Sequence, residues 1–580
     1  MEIINQKSVE EIIKIGNLPI HGVASLLMKL MKIDQINKLY DQNQDKEGLE
    51  FVDAVLKYLN IKISISDQDL KNIPLEDAFI AIANHPFGGI EGLIMLKILG
   101  DVRPEIKLMA NFILKKIPAI QNQIIPVNPF EDLKNISSLS GIKKTIQYLN
   151  DGYPIGIFPA GEVSSFQSNK RIITDKDWSP VIGKIITKSQ TPVLPIFFHG
   201  NNGFLFNLLG IINNRLRTAQ LPKELLNKKG HIIKVRIGKI IKFQELETFD
   251  SNDKMLQYLR ARTYALGASI ETKHITRKGF FAIKKKAAKI IPPVAANLIS
   301  EDISNLANHN LILTEKNYEV YIANFQEIPN VIKEIGRLRE ITFREIGEGT
   351  NKSIDLDKYD VYYKHLFIWD KDQHKIVGCY RIGLGDLITK NYGVKGFYIR
   401  NLFKIKKDFM PIMASGLELG RSFITKDYQQ KALPLFLLWK GILQFTLSNP
   451  KYQYLFGPVS ISNNYSKLSK NIIVSYLKKE CNDLKLAKLI KAKKRYKWNE
   501  KSANTQILIE KKDSIKSLDT IISDIEHNHA KVPVLIRQYI QLNAKILGFN
   551  VDPKFNDCLD GFLLLDILNM PEEMKKQLSK

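Results

Sequence analysis

Ala83-Asn84-His85-Pro86-Phe87-Gly88-Gly89-Ile90-Glu91-Gly92 is the stretch on which this 580-residue chain turns. The apolar run AFIAIA before it reads as a buried strand, and EGLIMLKIL after it as a helix. Between them stand a histidine at the strand's mouth, a Pro/Gly turn, and a carboxylate six positions after the histidine. A neutral imidazole accepts a hydroxyl proton while a carboxylate holds its other nitrogen in the right tautomer. That pairing suits acyl transfer to a hydroxyl, and the glycines let the backbone approach a thioester. His85 and Glu91 are the candidate catalytic pair; Asn84, Gly88 and Gly89 are candidate binding residues.

Outward from this stretch, from about 75 to 245, short β-branched runs alternate with helical segments. KLMAN, PIGIFPAG, TPVLPIFFHG and HIIKVRIG read as strands, an α/β pattern with a largely parallel, buried sheet. Upstream, HGVASLLMKLMKI carries Val23, Leu26, Leu27, Leu30 and Met31 on one helical stripe. Two readings of that helix stay open: packed on its own domain, or lying in a membrane interface. Downstream, Lys273, Arg277, Lys278, Lys284, Lys285, Lys286 and Lys289 occur with no acid between them, interleaved with Phe280, Phe281 and Ile283 and closed by Pro292-Pro293. Such a segment lies on anionic headgroups or is a solvated helix face. YEVYIAN, HLFIWD, KIVGCYRIG, LELGRSFI and YLFGPVS then read as strands, and LPLFLLWKGILQFTL as a helix. The expected division is 1–60 helical and possibly interfacial, 61–272 an α/β catalytic domain, 273–315 a basic linker, and 316–580 an α+β domain.

Composition sets the outer limits. With 44% hydrophobic and 25% charged residues, the chain is a folded globular protein. Cys379, Cys481 and Cys558 lie far apart, which excludes a disulfide scaffold and a cysteine-based zinc module and suits a reducing compartment. No metal site is expected. The N-terminus MEIINQKSVEEII lacks the basic region of a secretory signal. LPLFLLW (433–439) and GFLFNLLGII (203–212) fall short of the about 20 apolar residues that span a bilayer. The 85 Lys+Arg against 60 Asp+Glu leave a net charge of +25, which calls for an anionic partner. Nucleic acid is excluded, since no zinc spacing, RNP-like aromatic block or recognition helix accompanies the charge.

Phe158-Pro159-Ala160-Gly161-Glu162-Val163-Ser164-Ser165 and Thr191-Pro192-Val193-Leu194-Pro195-Ile196 follow the His85 stretch at further strand ends. The three motifs, in this order, resemble the glycerolipid acyltransferase family over roughly residues 60–245. The resemblance implies acylation of a lysolipid or glycerol phosphate, with Phe158, Pro159, Gly161 and Glu162 binding substrate. Two departures stand out. Five residues separate His85 from Glu91, where the family has four before an aspartate, so the longer side chain has to reach from a shifted position. The family's phosphate-gripping arginines are missing, with Ala160-Gly161-Glu162-Val163 and Pro126-Val127-Asn128 in their places. The implied acceptor is therefore a hydroxyl without an adjacent phosphate.

The second half carries Arg337, Arg339 and Arg344, then Asp355-Leu356-Asp357-Lys358-Tyr359-Asp360, Gly378-Cys379-Tyr380-Arg381 and Glu418-Leu419-Gly420-Arg421. That order resembles the acyl-homoserine-lactone synthases, a GNAT-fold family, and more closely the N-acyltransferases that begin ornithine-lipid synthesis. An amine attacking a thioester needs a carboxylate to deprotonate it and a buried network to fix that carboxylate. The resemblance implies Glu418 and Arg421 as catalytic and Arg344, Asp355, Asp357, Asp360 and Arg381 as substrate-binding, with a purely structural Arg–carboxylate lattice as the competing reading. Asp427-Tyr428-Gln429-Gln430-Lys431-Ala432 lacks the glycines that cradle a coenzyme A pyrophosphate. No tightly bound cofactor is expected; the implied donor is acyl carrier protein, or else acyl-CoA. Lys491, Lys493, Lys494, Arg495 and Lys497 offer a dock for an acidic carrier or simply face solvent. The tail from Val532-Pro533-Val534 through Gly548-Phe549-Asn550 to Asp560-Gly561 also matches that family.

Together the halves resemble the bifunctional ornithine-lipid synthases, sometimes labelled haemolysin-like. The resemblance implies a cytoplasmic enzyme held peripherally at the inner membrane. Its C-terminal domain N-acylates an amino acid, and its N-terminal domain O-acylates the resulting lyso-aminolipid. Ornithine, glycine or a glycine–serine dipeptide all fit. The alternatives are a single-activity lysophospholipid acyltransferase with an inactive or accessory second domain, and a non-catalytic membrane-binding protein.

Overall fold

The computed structural model describes residues 32–127, 136–167, 172–203, 206, 220–271, 287–498, 503–510 and 514–579. The helix expected over 21–33 (up to residue 31), Asn128, most of the 203–212 stretch and the basic run from Lys273 to Lys286 lie outside the described residues. The chain forms two compact units. The first combines the residues up to 274 with Gln506–Lys511 and Ser523–His529; the second takes 275–505, 512–522 and 530–580.

The first unit is built on β1 (Lys62–Ser64), β2 (Ile80–Ala83), β3 (Lys107–Asn111), β4 (Ile124–Val127), β5 (Ile155–Ile157), β8 (Val193–His199) and β9 (Ile232–Ile237). They lie in the order β1-β9-β8-β2-β5-β3-β4. All neighbours are parallel except β8 and β9. β6 (Ser165–Gln167) and β7 (Ile172–Thr174) form a separate hairpin. Every residue of β2 is buried, as a strand covered on both faces requires. The helices Gly48–Tyr58 and Ile90–Gly100 pack beside it, and the second buries Ile90, Ile94, Met95, Leu96, Ile98 and Leu99. Its start, directly after β2, brings the Pro/Gly turn to the carboxyl end of a central strand, where α/β sheets place their ligands.

The second unit contains β10 (Leu311–Glu315), β11 (Tyr318–Ala323), β12 (Lys364–Asp370), β13 (Lys375–Leu384), β15 (Gly416–Ile424), β16 (Tyr454–Ile461), β18 (Lys545–Asp552) and β19 (Cys558–Asp566). The sheet order is β10-β11-β12-β13-β15-β16-β19-β18, with β14 (Phe403–Ile405) and β17 (Ile490–Ala492) paired apart. Only β15 and β16 run parallel, and their register ends at Glu418 opposite Phe456. At the next position, Gly457, a Cβ would lie 2.0 Å from the Leu419 carbonyl oxygen, so only glycine permits the approach. β15 also carries a bulge: Cys379 faces Phe423 and Arg381 faces Gly420, which leaves one extra residue on β15. Arg421 sits there at φ +50°, a conformation that re-aims its side chain.

Two expected boundaries are corrected. Residues 294–315 are not linker. Val294, Ile299, Ile303 and Leu306 join the core beneath helix Pro329–Glu345, and β10 is an edge strand of the second sheet. Nor do residues 316–580 all belong to the second unit. Asp524 places its carboxylate 2.6 Å from Arg262, and its carbonyl accepts from Arg236 at 2.9 Å. Arg236 also pairs with Asp69 at 2.7 Å. These arginines are almost fully buried, and a charge in that setting has to be matched wherever along the chain the partner comes from.

Candidate active sites

In the first unit, Asn84 closes β2 by donating to the Phe198 carbonyl at 2.9 Å and accepting from the Phe198 amide at 2.8 Å. The next residue, His85, faces Glu91 with Nδ1 2.9 Å from Oε1. Glu91 is fully buried and also accepts from the amides of Phe87 (2.8 Å), Gly88 (2.7 Å) and Gly89 (3.1 Å). Burial alone would raise its pKa; the facing imidazole and the turn's amides outweigh that and hold it below the ordinary carboxylate value. An ionised Glu91 keeps the hydrogen on Nδ1, so Nε2 is the nitrogen left to accept a proton. The extra residue in the spacing is thus spanned by glutamate's longer side chain. Gly88 adopts φ +95°, and a Cβ there would lie 2.3 Å from Leu221 and 2.7 Å from Val163.

The second motif backs the histidine. Phe158 stacks on the His85 ring at 4.4 Å between centroids. Gly161 (φ +66°) turns the chain by donating to the Phe158 carbonyl at 3.0 Å, and Pro159 accepts from Ser179 at 2.9 Å. Glu162 pairs with Lys176 at 2.5 Å. Asp175 was not singled out in the sequence, yet its Oδ1 accepts from the His85 amide (3.2 Å) and the Ser164 hydroxyl (2.5 Å), and its Oδ2 from Trp178 (3.2 Å). An acid on the hairpin's exit, with Asp177 two positions on, carries no spacing signal, so nothing local marks it. Lys228 is a second such residue, with its ammonium 4.7 Å over the Phe87 ring.

In the second unit the acidic trio and the strand arginines meet. Arg339, fully buried, reaches Asp360 at 2.8 Å and Asp355 at 3.3 Å. Arg381 reaches Asp357 at 2.7 Å and Asp360 at 3.2 Å, enclosed by the rings of Tyr359, Tyr363 and Tyr398 at 5.3–5.6 Å. Burial works against the Asp360 charge, but Arg339 and Arg381 prevail and hold it well below the usual carboxylate range. His365 beside it, with Nε2 2.9 Å from the Asp360 carbonyl, is pushed down to about 4 by burial and is neutral. Arg421 stands at the open edge, 3.6 Å from Asp355 and 3.7 Å from Asp357.

Glu418 and Arg344 depart from their expected surroundings. Glu418 is 1% exposed and accepts from the Tyr363 hydroxyl and from the amides of Tyr398 (2.9 Å) and Ile399 (2.6 Å). Burial, the largest influence, raises it to about 7. Its oxygens are spent on holding the 398–399 turn rather than facing an open chamber. Arg344 lies outside the lattice. It binds Glu340 at 2.6 Å and the carbonyls of Ala288 and Lys352, because five residues beyond Arg339, about 140° round the helix, its side chain points at the 287–291 segment. Among the described residues no cluster of His, Cys, Asp or Glu has metal-site geometry, and no helix is long and apolar enough to cross a membrane.

The Acyltransferase family matches residues 17–273, and the Acetyltransferase (GNAT) domain family matches 338–439. The glycine N(alpha)-acyltransferase of Phocaeicola vulgatus is 30% identical over 304 residues, covering 50% of this chain and 91% of that protein. The lyso-glycine lipid O-acyltransferase of Bacteroides thetaiotaomicron is 24% identical over 253 residues, covering 42% of this chain and 89% of its own. Among solved structures, the 1-acyl-sn-glycerophosphate acyltransferase of Thermotoga maritima aligns with 37% of this chain and 79% of its own at 18% identity, with a TM-score of 0.23, too low to bear on the fold.

Proposed function

We propose a two-step aminolipid synthesis from one premise: the chain belongs to the glycine N(alpha)-acyltransferase family and carries an acyltransferase domain ahead of its GNAT domain. The second unit joins an acyl chain to the amine of glycine. The first unit then esterifies the hydroxyl of that lyso-aminolipid. The carrying observation is that one chain matches both families and both relatives. In the ester step the acceptor hydroxyl donates its proton to His85 Nε2 as its oxygen attacks the thioester carbonyl. Glu91 stabilises the imidazolium that forms, and the C–S bond then breaks as that proton passes to the leaving thiolate and restores neutral His85.

The donor in this reading is an acyl group on an acidic carrier protein. Supporting it, Lys493 lies close enough to Arg400, Lys404 and Lys554 for their charges to oppose its own, a basic surface suited to an acidic partner. The net charge of +25 supports work at the cytoplasmic face of an anionic membrane, held there peripherally. That attachment predicts vesicle binding that falls steeply with added salt.

The test is expression in a bacterium that lacks aminolipids, with extracted lipids read by mass spectrometry. A new two-chain, phosphorus-free glycine lipid is the expected product; its absence from cells holding folded protein would sink the reading. Gly88→Ala is expected to cut ester formation at least ~10²-fold, because the new Cβ displaces the turn that sets Glu91 against His85. The ratio of one-chain to two-chain lipid reads this directly.

A further inference from the structure

Three carboxylates to which the sequence motifs give no role, Glu348, Asp552 and Asp560, lie near enough for Glu348 and Asp552 to impose their charges on Asp560, and Glu348 in turn feels the charge of Arg421. Asp560 stands on β19 opposite Ser460 of β16 and Asn550 of β18, and is 3% exposed. Its Oδ1 accepts from the Ser460 hydroxyl at 2.8 Å and lies 3.7 Å from Cys558 Sγ. Its Oδ2 accepts no hydrogen bond among the described residues. Glu348, 9% exposed, likewise has no side-chain hydrogen bond there, although it is near enough to feel the Arg421 charge and to impose its own on Asp560. A buried carboxyl with so few donors is stabilised either by protonation or by a nearby cation, and burial raises both groups.

Arg421 is under-used in the same way. Its contacts to Asp355 and Asp357 exceed hydrogen-bond length, and its buried Nε has no partner. Its guanidinium carbon stands 4.5 Å from the centre of the Phe555 ring and 5.5 Å from that of Tyr398, and these rings restrict where the donor fork can swing. A guanidinium with donors to spare near carboxyls with acceptors to spare matches the charge pattern of a small zwitterion.

We propose that Arg421 binds the carboxylate of the acceptor amino acid, that Glu348 faces its ammonium, and that Asp560 takes the proton from the attacking amine. The proposal rests on the N-acylation reading above and assigns its groups. The ammonium gives one proton to Asp560, and the freed nitrogen forms the C–N bond at the carbonyl of an acyl thioester. The C–S bond breaks, and the second nitrogen proton ends on the leaving thiolate. Burial raises Asp560 to about 7, helped by Asp552 and Glu348, which suits a base working near neutrality. Glu418, its oxygens already engaged, becomes a positioning residue for Tyr398.

The experiment uses the purified full chain, an acyl thioester, and either glycine or glycinamide as acceptor; glycinamide keeps the amine and lacks the carboxylate. Wild type is expected to prefer glycine. Arg421→Gln should raise KM for glycine ~10-fold or more, leave glycinamide unchanged, and erase the preference. Asp560→Asn should lower kcat by ~10²–10⁴-fold with little change in KM, and remove the acid limb of the pH profile near 7. The groups facing Asp560 are Ser460, Asp552, Cys558, Glu348 and Tyr398, so Glu348→Gln is run beside it.

Folding has its own readout. A carboxyl raised in the folded state destabilises it as pH climbs from about 4 to 7, so Asp560→Asn should melt above wild type at pH 8 and no higher at pH 4. An acid limb kept in Asp560→Asn but lost in Glu348→Gln would overturn the assignment of the base. An intact glycine preference in Arg421→Gln would overturn the carboxylate anchor. A wild type that acylates neither acceptor would overturn the N-acylation reading itself.

Discussion

Replacing His85 by alanine is expected to lower ester formation by roughly 10²–10⁴-fold while amide formation continues, so that the single-chain aminolipid accumulates. The reason is geometric. His85 Nδ1 is committed to Glu91, and Nε2 is the remaining ring nitrogen with a lone pair for the acceptor proton. Glu91→Gln tests the same pair from the other side. The amide still accepts through its oxygen, but it no longer stabilises a developing imidazolium, and a change of this kind in a histidine–carboxylate pair costs up to about 10⁴-fold. Since Glu91 also gathers three turn amides, Glu91→Ala should lose the turn as well as the charge. All three variants are read by the ratio of one-chain to two-chain lipid. An unchanged two-chain product from His85→Ala would remove His85 from the reaction.

The second large effect concerns stability. Asp524→Ala is expected to cost about 3–5 kcal/mol, since it strands a buried guanidinium. Arg262 and Asp524 are each 4% exposed and 2.6 Å apart. What remains near Arg262 is the Tyr258 hydroxyl at 2.8 Å and Glu245 at 3.9 Å, which offset part of the loss. Arg262→Met with Asp524→Leu removes both charges and should recover much of the stability, because an apolar pair of similar size is often neutral or better. Urea unfolding of the full chain distinguishes these outcomes. An Asp524→Ala chain within about 0.5 kcal/mol of wild type would show that the pair carries no weight. It follows that a fragment ending near 315 lacks a carboxylate its first unit needs.

Legibility in the sequence tracked locality. His85 and Glu91 sit six positions apart across one turn, so a motif carries both, and the helix that follows opens where the pattern says. Asp355, Asp357 and Asp360 likewise lie within one short loop, and Arg381 and Arg421 each follow a recognisable strand pattern. Arg344 departs from its expected place because position in a motif order does not say which way a helix face points. The 294–315 stretch departs from the expected linker because Ile299 and Ile303 follow a helical spacing that reaches a core, which the basic run beside it masks in the sequence.

Asp175, Asp524, Glu348 and Asp560 form a different class. Nothing in the residues beside each of them gives it a role, and each answers partners tens to hundreds of positions away. By itself the sequence determined the two fold types, the two acyl-transfer chemistries and the histidine–carboxylate pair, all of which rest on local patterns of strand, turn and spacing. Only the tertiary structure decided which buried charges answer one another. That choice depends on which groups fold into the same low-dielectric space, where an unmatched charge costs several kcal/mol and its neighbours along the chain have no say.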